Sequence, residues 1–298
     1  MKRQICFQGS LKEKNYFEGW YYKHVTEDKK EVLAVIPGIS LAEKNPHAFI
    51  QINETWHQRS YYFSYPISEF HHSDDPFMIM IGDSIFKEDE IELNIKEGAI
   101  EIIGTLTYSD LTPIKQNWYA PTIMGPFSYF KMECNHGIVS MDHYVDGILF
   151  INQERFEFED GYGYIEKDYG TSFPKRYLWF QSNTPKKDTL NHKKMSFLLS
   201  IADIPFHGLH FKGVICVLQN DKKQYRFSTY DFAKIKQMES KGNGIYMIKL
   251  KKRDYLLKIV IRNGISNSLL APKSGNMESS VEESLQAEAT ITLKQQKK

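Results

Sequence analysis

Three ionisable residues in a row, Glu166, Lys167 and Asp168, stand in a stretch that is otherwise strongly aromatic. Tyr162, Tyr164, Tyr169, Phe173, Tyr177, Trp179 and Phe180 all fall between Gly161 and Asn183. A strand needed only for packing would not carry that charge triplet. Along an extended strand the side chains alternate, so Tyr164, Glu166 and Asp168 share one face and Ile165, Lys167 and Tyr169 the other. A carboxyl group on a face that lines a cavity is desolvated, which favours its protonated form. An acid held among aromatic rings suits protonation of an alkene: the proton goes to carbon, and π-faces stabilise the resulting cation by about 0.5–2 kcal/mol each. The Tyr164, Glu166, Asp168 face is therefore expected to point inward. The same spacing also fits solvent-facing strand residues, or an ion pair closing the end of a barrel.

The elements that must position these residues read as strands. Tyr16 to Val25 alternates, with Tyr16, Glu18, Trp20 and Tyr22 on one face, which places Glu18 among aromatic rings. Strand-length runs follow at Glu31–Pro37, His47–Glu54 and Arg59–Pro66. Ile91 to Asp110 reads as a hairpin across Glu97-Gly98, and Tyr255 to Asn263 pairs with Gly244 to Lys252 through Arg253-Asp254. The tail segment EATITLK is a closing strand. Two stretches only, Ala233–Ser240 and Met277–Ala287, have the pattern of short helices, so a parallel α/β sheet is excluded. In Gly137–Ile151, His143 lies with Met141 and Val145 on an apolar face beside Asp142. That position fits a core histidine bonded to backbone as well as a pocket role.

The expected fold is all-β, an antiparallel barrel architecture with few short helices. The connection from Leu111 to Phe130 holds Pro113, Pro121 and Pro126 and lacks periodicity. It is the expected boundary between two barrel-like halves, residues 1–124 and 125–298.

Composition narrows the function. With 298 residues, 41% hydrophobic and 25% charged, the chain can bury a substantial core. Its formal net charge of +1, with the basic residues scattered, argues against a nucleic-acid partner. The cysteines Cys6, Cys134 and Cys216 are odd in number and lack CxxC spacing, which fits neither a disulfide framework nor a zinc ribbon. No signal-peptide core or membrane-length apolar run is present, so a cytoplasmic location with no integral membrane segment is expected. Motifs for serine hydrolysis, nucleotide hydrolysis and zinc proteolysis are missing. His71, His72, Asp74 and Asp75 in HHSDDPF suggest a metal, but a polar loop explains them equally well, and no metal is expected.

Several long motifs carry a family resemblance. NYFEGWYYK (Asn15–Lys23), GPFSYFKMECNHGIVSMDH from Gly125, GYGYIEKDYGTSFPKRYLWFQSN and YRFSTY at Tyr225 resemble the tocopherol cyclase family. The resemblance implies a calycin- or lipocalin-like barrel architecture around a lipophilic pocket. In the plant enzymes of that family, protonation of a prenyl double bond on a hydroquinone is followed by attack of the phenolic oxygen, with no cofactor. Those enzymes carry Glu-Lys-Asn-Trp where this chain has Glu166-Lys167-Asp168-Tyr169, which favours Glu166 over Asp168 as the acid.

On this resemblance, Glu166 is the expected proton donor, with Asp168 the alternative carboxylate. Glu18, Asp142 and His143 are expected to tune it or act as the base. Trp20, Tyr22, Tyr164 and Trp179 are expected to wall the substrate, a prenylated quinol or terpenoid, and Gln181 and Asn183 to anchor its polar head. The alternative is a calycin-type binding protein that carries a hydrophobic small molecule without turnover.

Overall fold

A computed structural model describes residues 2–186, 194–206, 208–221 and 223–296. Twenty-one strands run in chain order: β1 (Tyr16–Val25), β2 (Val32–Leu41), β3 (His47–Glu54), β4 (Arg59–Pro66), β5 (Phe70–Asp74), β6 (Phe77–Ile81), β7 (Ser84–Phe86), β8 (Glu90–Glu97), β9 (Ile100–Ser109), β10 (Cys134–Ile151), β11 (Glu154–Gly170), β12 (Tyr177–Ser182), β13 (Met195–Phe206), β14 (Leu209–Asn220), β15 (Gln224–Arg226), β16 (Lys234–Ser240), β17 (Ile245–Lys252), β18 (Tyr255–Arg262), β19 (Asn267–Lys273), β20 (Asn276–Glu283) and β21 (Glu288–Gln295). The all-β expectation is met: the described helical residues form only 3-10 turns, at Ile67–Glu69, Gly125–Tyr129 and Thr229–Asp231.

Two compact units emerge. The first comprises Met1–Phe173 with Ser268–Val281, and the second Pro174–Asn267 with Glu282–Lys298. The division therefore falls after Phe173, not at 124/125 as the proline-rich connection suggested. The reason is pairing: β10 bonds to β9 and β11 bonds to β1, so the chain through Gly170 belongs to the sheet that its first strands begin.

In the first unit, eleven antiparallel strands follow the order β4-β3-β2-β1-β11-β10-β9-β8-β7-β6-β5. The two edge strands, β4 and β5, are consecutive in sequence and joined by a single 3-10 turn, so the sheet curls back on itself as a barrel. Its interior is one apolar cluster that includes Trp20, Tyr22, Ile50, Phe70, Phe86 and Leu149. Fully burying a large apolar side chain of this kind is worth about 1.5–3 kcal/mol. Among its hairpins, β8–β9 has the expected turn, with Ile95 opposite Ile102 and Ile91 opposite Leu106.

The second unit packs two four-stranded antiparallel sheets, β12-β13-β14-β15 and β16-β17-β18-β21, around a core of Phe180, Phe197, Leu199, Ile248, Leu257 and Ile259. The hairpin through Arg253-Asp254 and the closing strand β21 form as expected. Both suspected helices are strands instead. Residues 234–240 pair with β17, and 276–283 with β19, because ladder hydrogen bonds to a neighbouring strand satisfy backbone groups that a short polar helix would leave open.

Residues 161–183, the aromatic stretch around the charge triplet, divide between two sheets. They contribute to β11 in the first unit, between β1 and β10, and to β12 in the second, paired with β13.

Candidate active site

The inward face of β11 is the one bearing Ile165, Lys167 and Tyr169. In the β1–β11 ladder Lys167 lies opposite Trp20 and Ile165 opposite Tyr22, and residues directly opposite share a face. Trp20, Tyr22 and Ile165 belong to the barrel core. Tyr164, Glu166 and Asp168 thus point to the outer face, contrary to expectation. Tyr164 and Glu166 are nevertheless buried, because both faces of this part of the sheet are covered.

On the inner face, Glu18 and Lys167 form a fully buried ion pair, with Nζ 2.7 Å from Oε1. The Glu18 carboxylate also accepts the backbone N–H groups of Gln8 (2.8 Å) and Gly9 (3.1 Å) and the Tyr16 hydroxyl. Lys167 donates to the Cys6 carbonyl and lies over the rings of Trp20 and Tyr169 at 5.4 and 5.2 Å. Trp20 Nε1 donates to the Ile5 carbonyl at 2.6 Å. Together these residues hold the segment Ile5–Phe7, itself buried, across the barrel. Burial pushes the Lys167 ammonium pKa down, against the pull of Glu18. Glu18 and Trp20 therefore anchor the N-terminal segment, and with Tyr22 they lie on the opposite side of the sheet from Glu166.

His143 is also inward. It lies opposite Gly163, its ring meets Tyr108 at a tilt with centroids 4.8 Å apart, and Nδ1 is 3.1 Å from Ser140 Oγ. Gly163 is required there, since a Cβ would overlap His143 Nε2. Asp142 accepts the Thr112 N–H through its carbonyl (2.9 Å), and the Tyr162 phenol pKa is raised by burial first and in smaller part by the charge of Asp142.

The outer face assembles a different group. β10 brings His136 directly opposite Asp168, and Ile138 opposite Glu166. His136 Nδ1 is 2.8 Å from Asp168 Oδ1, and Nε2 is 3.5 Å from Glu166 Oε2. Glu166 accepts the Tyr164 hydroxyl. Burial opposes charge on the imidazole, but Asp168 and Glu166 together overcome it and push the His136 pKa up to about 9. The Tyr164 phenol pKa is pushed well above its ordinary value, by burial first and then by Glu166. From β1, Tyr21 lies opposite Glu166, Gly19 opposite Asp168, and the buried Lys23 opposite Tyr164.

β10 has no β9 partner before Tyr144, and the connection 111–133 lies along that edge instead. Thr112 exchanges backbone bonds with Met141 and Asp142, and the Met124 sulfur accepts the His136 N–H at 3.0 Å. On the other side, the β19–β20 hairpin is tied to β2, β3 and β4 through Ser40, Gln51 and Ser60. Between these two covers Asp168 keeps 22% of its side chain exposed and His136 12%.

His136, Glu166 and Asp168 are also the one group among the described residues whose donor atoms, all within 4.8 Å of one another, could hold a metal ion. His71, His72, Asp74 and Asp75 are not part of such a group. Trp179 and Gln181 lie on β12 and Asn183 just beyond it, in the second unit, with Gln181 and Asn183 buried.

His136 was legible only as part of the motif ECNHG, and nothing in its spacing separated it from His143. Tyr21 and Lys23 were assigned no role by alternation.

The profile of the tocopherol cyclase-like family matches residues 112–298, and the chain belongs to that family. The match begins in the connection that flanks the site and includes His136, Tyr164, Glu166 and Asp168. No curated protein matches the chain. Among solved structures, CghA with Sch210972 is similar over 94% of this chain and 88% of its own, with 9% identity and a TM-score of 0.57. CghA alone covers 90% and 86%, with 9% identity and a TM-score of 0.53. Kievitone hydratase from Nectria haematococca covers 83% and 75%, with 11% identity and a TM-score of 0.48. These likenesses concern the fold alone. No helix among the described residues is long and apolar enough to cross a membrane.

Proposed function

We propose that this protein protonates a carbon–carbon double bond of a prenylated or terpenoid substrate and closes a ring on the resulting cation. The observation that carries this reading is the His136 imidazole set between two carboxylates, hydrogen-bonded through Nδ1 to Asp168 at 2.8 Å and with Nε2 at the ion-pair distance of 3.5 Å from Glu166. With its pKa near 9, His136 holds a proton at neutral pH. Transfer through Nε2 makes Glu166 a carboxylic acid, the stronger donor, with the Tyr164 hydroxyl fixing its orientation. The proton adds to the alkene, and the substrate's own hydroxyl oxygen captures the cation. Asp168, which accepts the Nδ1–H of His136, takes the hydroxyl proton and releases it to solvent on its exposed side, and Nε2 takes up a proton in its place. The net change is an isomerisation, with no proton gained or lost.

Family membership and the close acid–base group both support this reading. A carrier of the calycin type would hold its ligand inside the barrel, where rings such as Trp20, Phe70 and Phe77 lie against one another. The test is turnover of a prenylated hydroquinone in deuterated water. One deuterium should appear at the former alkene carbon, and Glu166→Gln should abolish product. An active Glu166→Gln variant would remove Glu166 from the role. Recovery of the compound unchanged from the wild-type protein would sink the enzymatic reading.

A further inference from the structure

Gly19 lies at the point where the outer-face group meets solvent. It pairs with Asp168 on one side and with Gly38 on the other. A Cβ built at Gly19 meets nothing nearer than the Pro37 carbonyl at 3.8 Å and Ile36 Cγ2 at 3.9 Å. Gly38, Gly137, Gly161 and Gly163, also on strands of this sheet, behave differently: a Cβ at each would come within 2.7 Å of a neighbouring atom. Gly19 also keeps a negative or extended φ, so its backbone does not require glycine. Packing and conformation leave its missing side chain unexplained.

The space it leaves is walled. At Gly38 a Cβ would sit 2.5 Å from the tip of the Phe49 ring, so that ring borders the space one strand away. Phe17 and Tyr21, two residues either side of Gly19 on β1, share its face. Asp168, with His136 behind it, forms the remaining side. Phe49, Tyr21, Phe17 with its edge-on neighbour Phe173, and the part-exposed Asp168 therefore border the side of β1 from which Gly19 presents no side chain.

We infer that the space over Gly19 is the subsite that seats the reacting end of an aromatic or prenylated substrate against Asp168 and His136, and that Gly19 sets the size it admits. The inference deepens the function proposed above and rests on it for the substrate class. Gly19 is a specificity-determining position and takes no part in proton transfer.

The test uses the full chain and its Gly19→Ala and Gly19→Val variants. Each should melt as the wild type does, and the His136 ring signals in NMR should titrate unchanged, showing that the sheet and the His136 contacts survive. A geranylated hydroquinone titrated into wild type should shift the His136 signals. Gly19→Val should raise its Kd at least tenfold, Gly19→Ala should fall between, and a dimethylallyl hydroquinone should lose less. Equal Kd values in all three proteins, or no shift in wild type with either compound, would overturn the subsite. If Gly19→Val does not fold, the Gly19→Ala value decides alone, and no change in it overturns the inference. Binding that shifts His136 and depends on Gly19, without deuterium incorporation, would leave the subsite standing and refute the cyclase reading.

Discussion

His136 Nδ1 lies 2.8 Å from Asp168 Oδ1 across the β10–β11 ladder, and this pair fixes where a proton is held on the outer face of the barrel. The pair exists through irregular pairing. From the hairpin end, Ile151 opposes Glu154 and Gly147 opposes Phe158 in unbroken register, which if continued would place His136 opposite Tyr169 and turn Asp168 to the inner face with Phe156 and Phe158. Irregularities at Val145/Gly147, Ser140/His143 and Ile138/Ser140 shift the ladder by a net one residue and bring Asp168 to the outer face opposite His136.

The first prediction concerns pH. The folded pKa of His136, about 9, exceeds the ordinary value of 6.5, so proton binding favours the folded state. The stabilisation is complete below pH 6.5 and is lost as pH rises through 9, on the order of 3 kcal/mol in all. Asp168→Asn should lower the His136 pKa by more than a unit, read from the NMR titration of the ring, and remove most of that slope.

His24 acts in the opposite direction. Its ring is buried against Tyr108, with Nε2 2.8 Å from the hydroxyl, and burial depresses its pKa to about 3. As pH falls below 6.5 the unfolded chain takes up this proton first, so stability falls progressively toward pH 3. Urea unfolding should show an acid limb that is shallower in His24→Gln, although that variant starts less stable.

Breaking the Glu18–Lys167 pair should cost about 3–5 kcal/mol, since the remaining charge is buried alone. The double variant Glu18→Gln/Lys167→Met should recover part of the loss. Proteolysis near Ile5–Phe7 should accelerate in either single variant if the pair anchors that segment.

Gly163→Ala forces a methyl group into His143 Nε2. An overpacked site of this kind costs about 1–3 kcal/mol. Adding His143→Ala should relieve the clash, so the double variant should be more stable than the sum of the two single changes predicts, as measured by denaturant midpoints.

Chelation offers a further check on the outer-face group. If His136, Glu166 and Asp168 work as a proton relay, wild-type turnover should be unchanged by dialysis against a chelator and unaided by added divalent cations. Activity restored by one cation would reassign the three side chains as its ligands.

The sequence by itself determined that this chain is antiparallel β-structure, through period-2 alternation and through turns such as Glu97-Gly98 and Arg253-Asp254. It also singled out the charge triplet of Glu166, Lys167 and Asp168 among seven aromatic residues, without separating a surface carboxylate from a buried acid. The alternation correctly divided Tyr164, Glu166 and Asp168 from Ile165, Lys167 and Tyr169. It could not say which set faces the barrel, because both faces of β11 are covered and both sets are rich in aromatic and ionisable side chains. Only the tertiary structure decided that Lys167 closes a buried ion pair with Glu18, while Glu166 turns outward. The choice of His136 over His143 was likewise beyond local pattern. Each irregularity in the β10–β11 ladder exchanges the faces of the residues beyond it, and where those irregularities fall depends on packing against Tyr108, Gly163 and the connection that carries Met124, all distant in sequence.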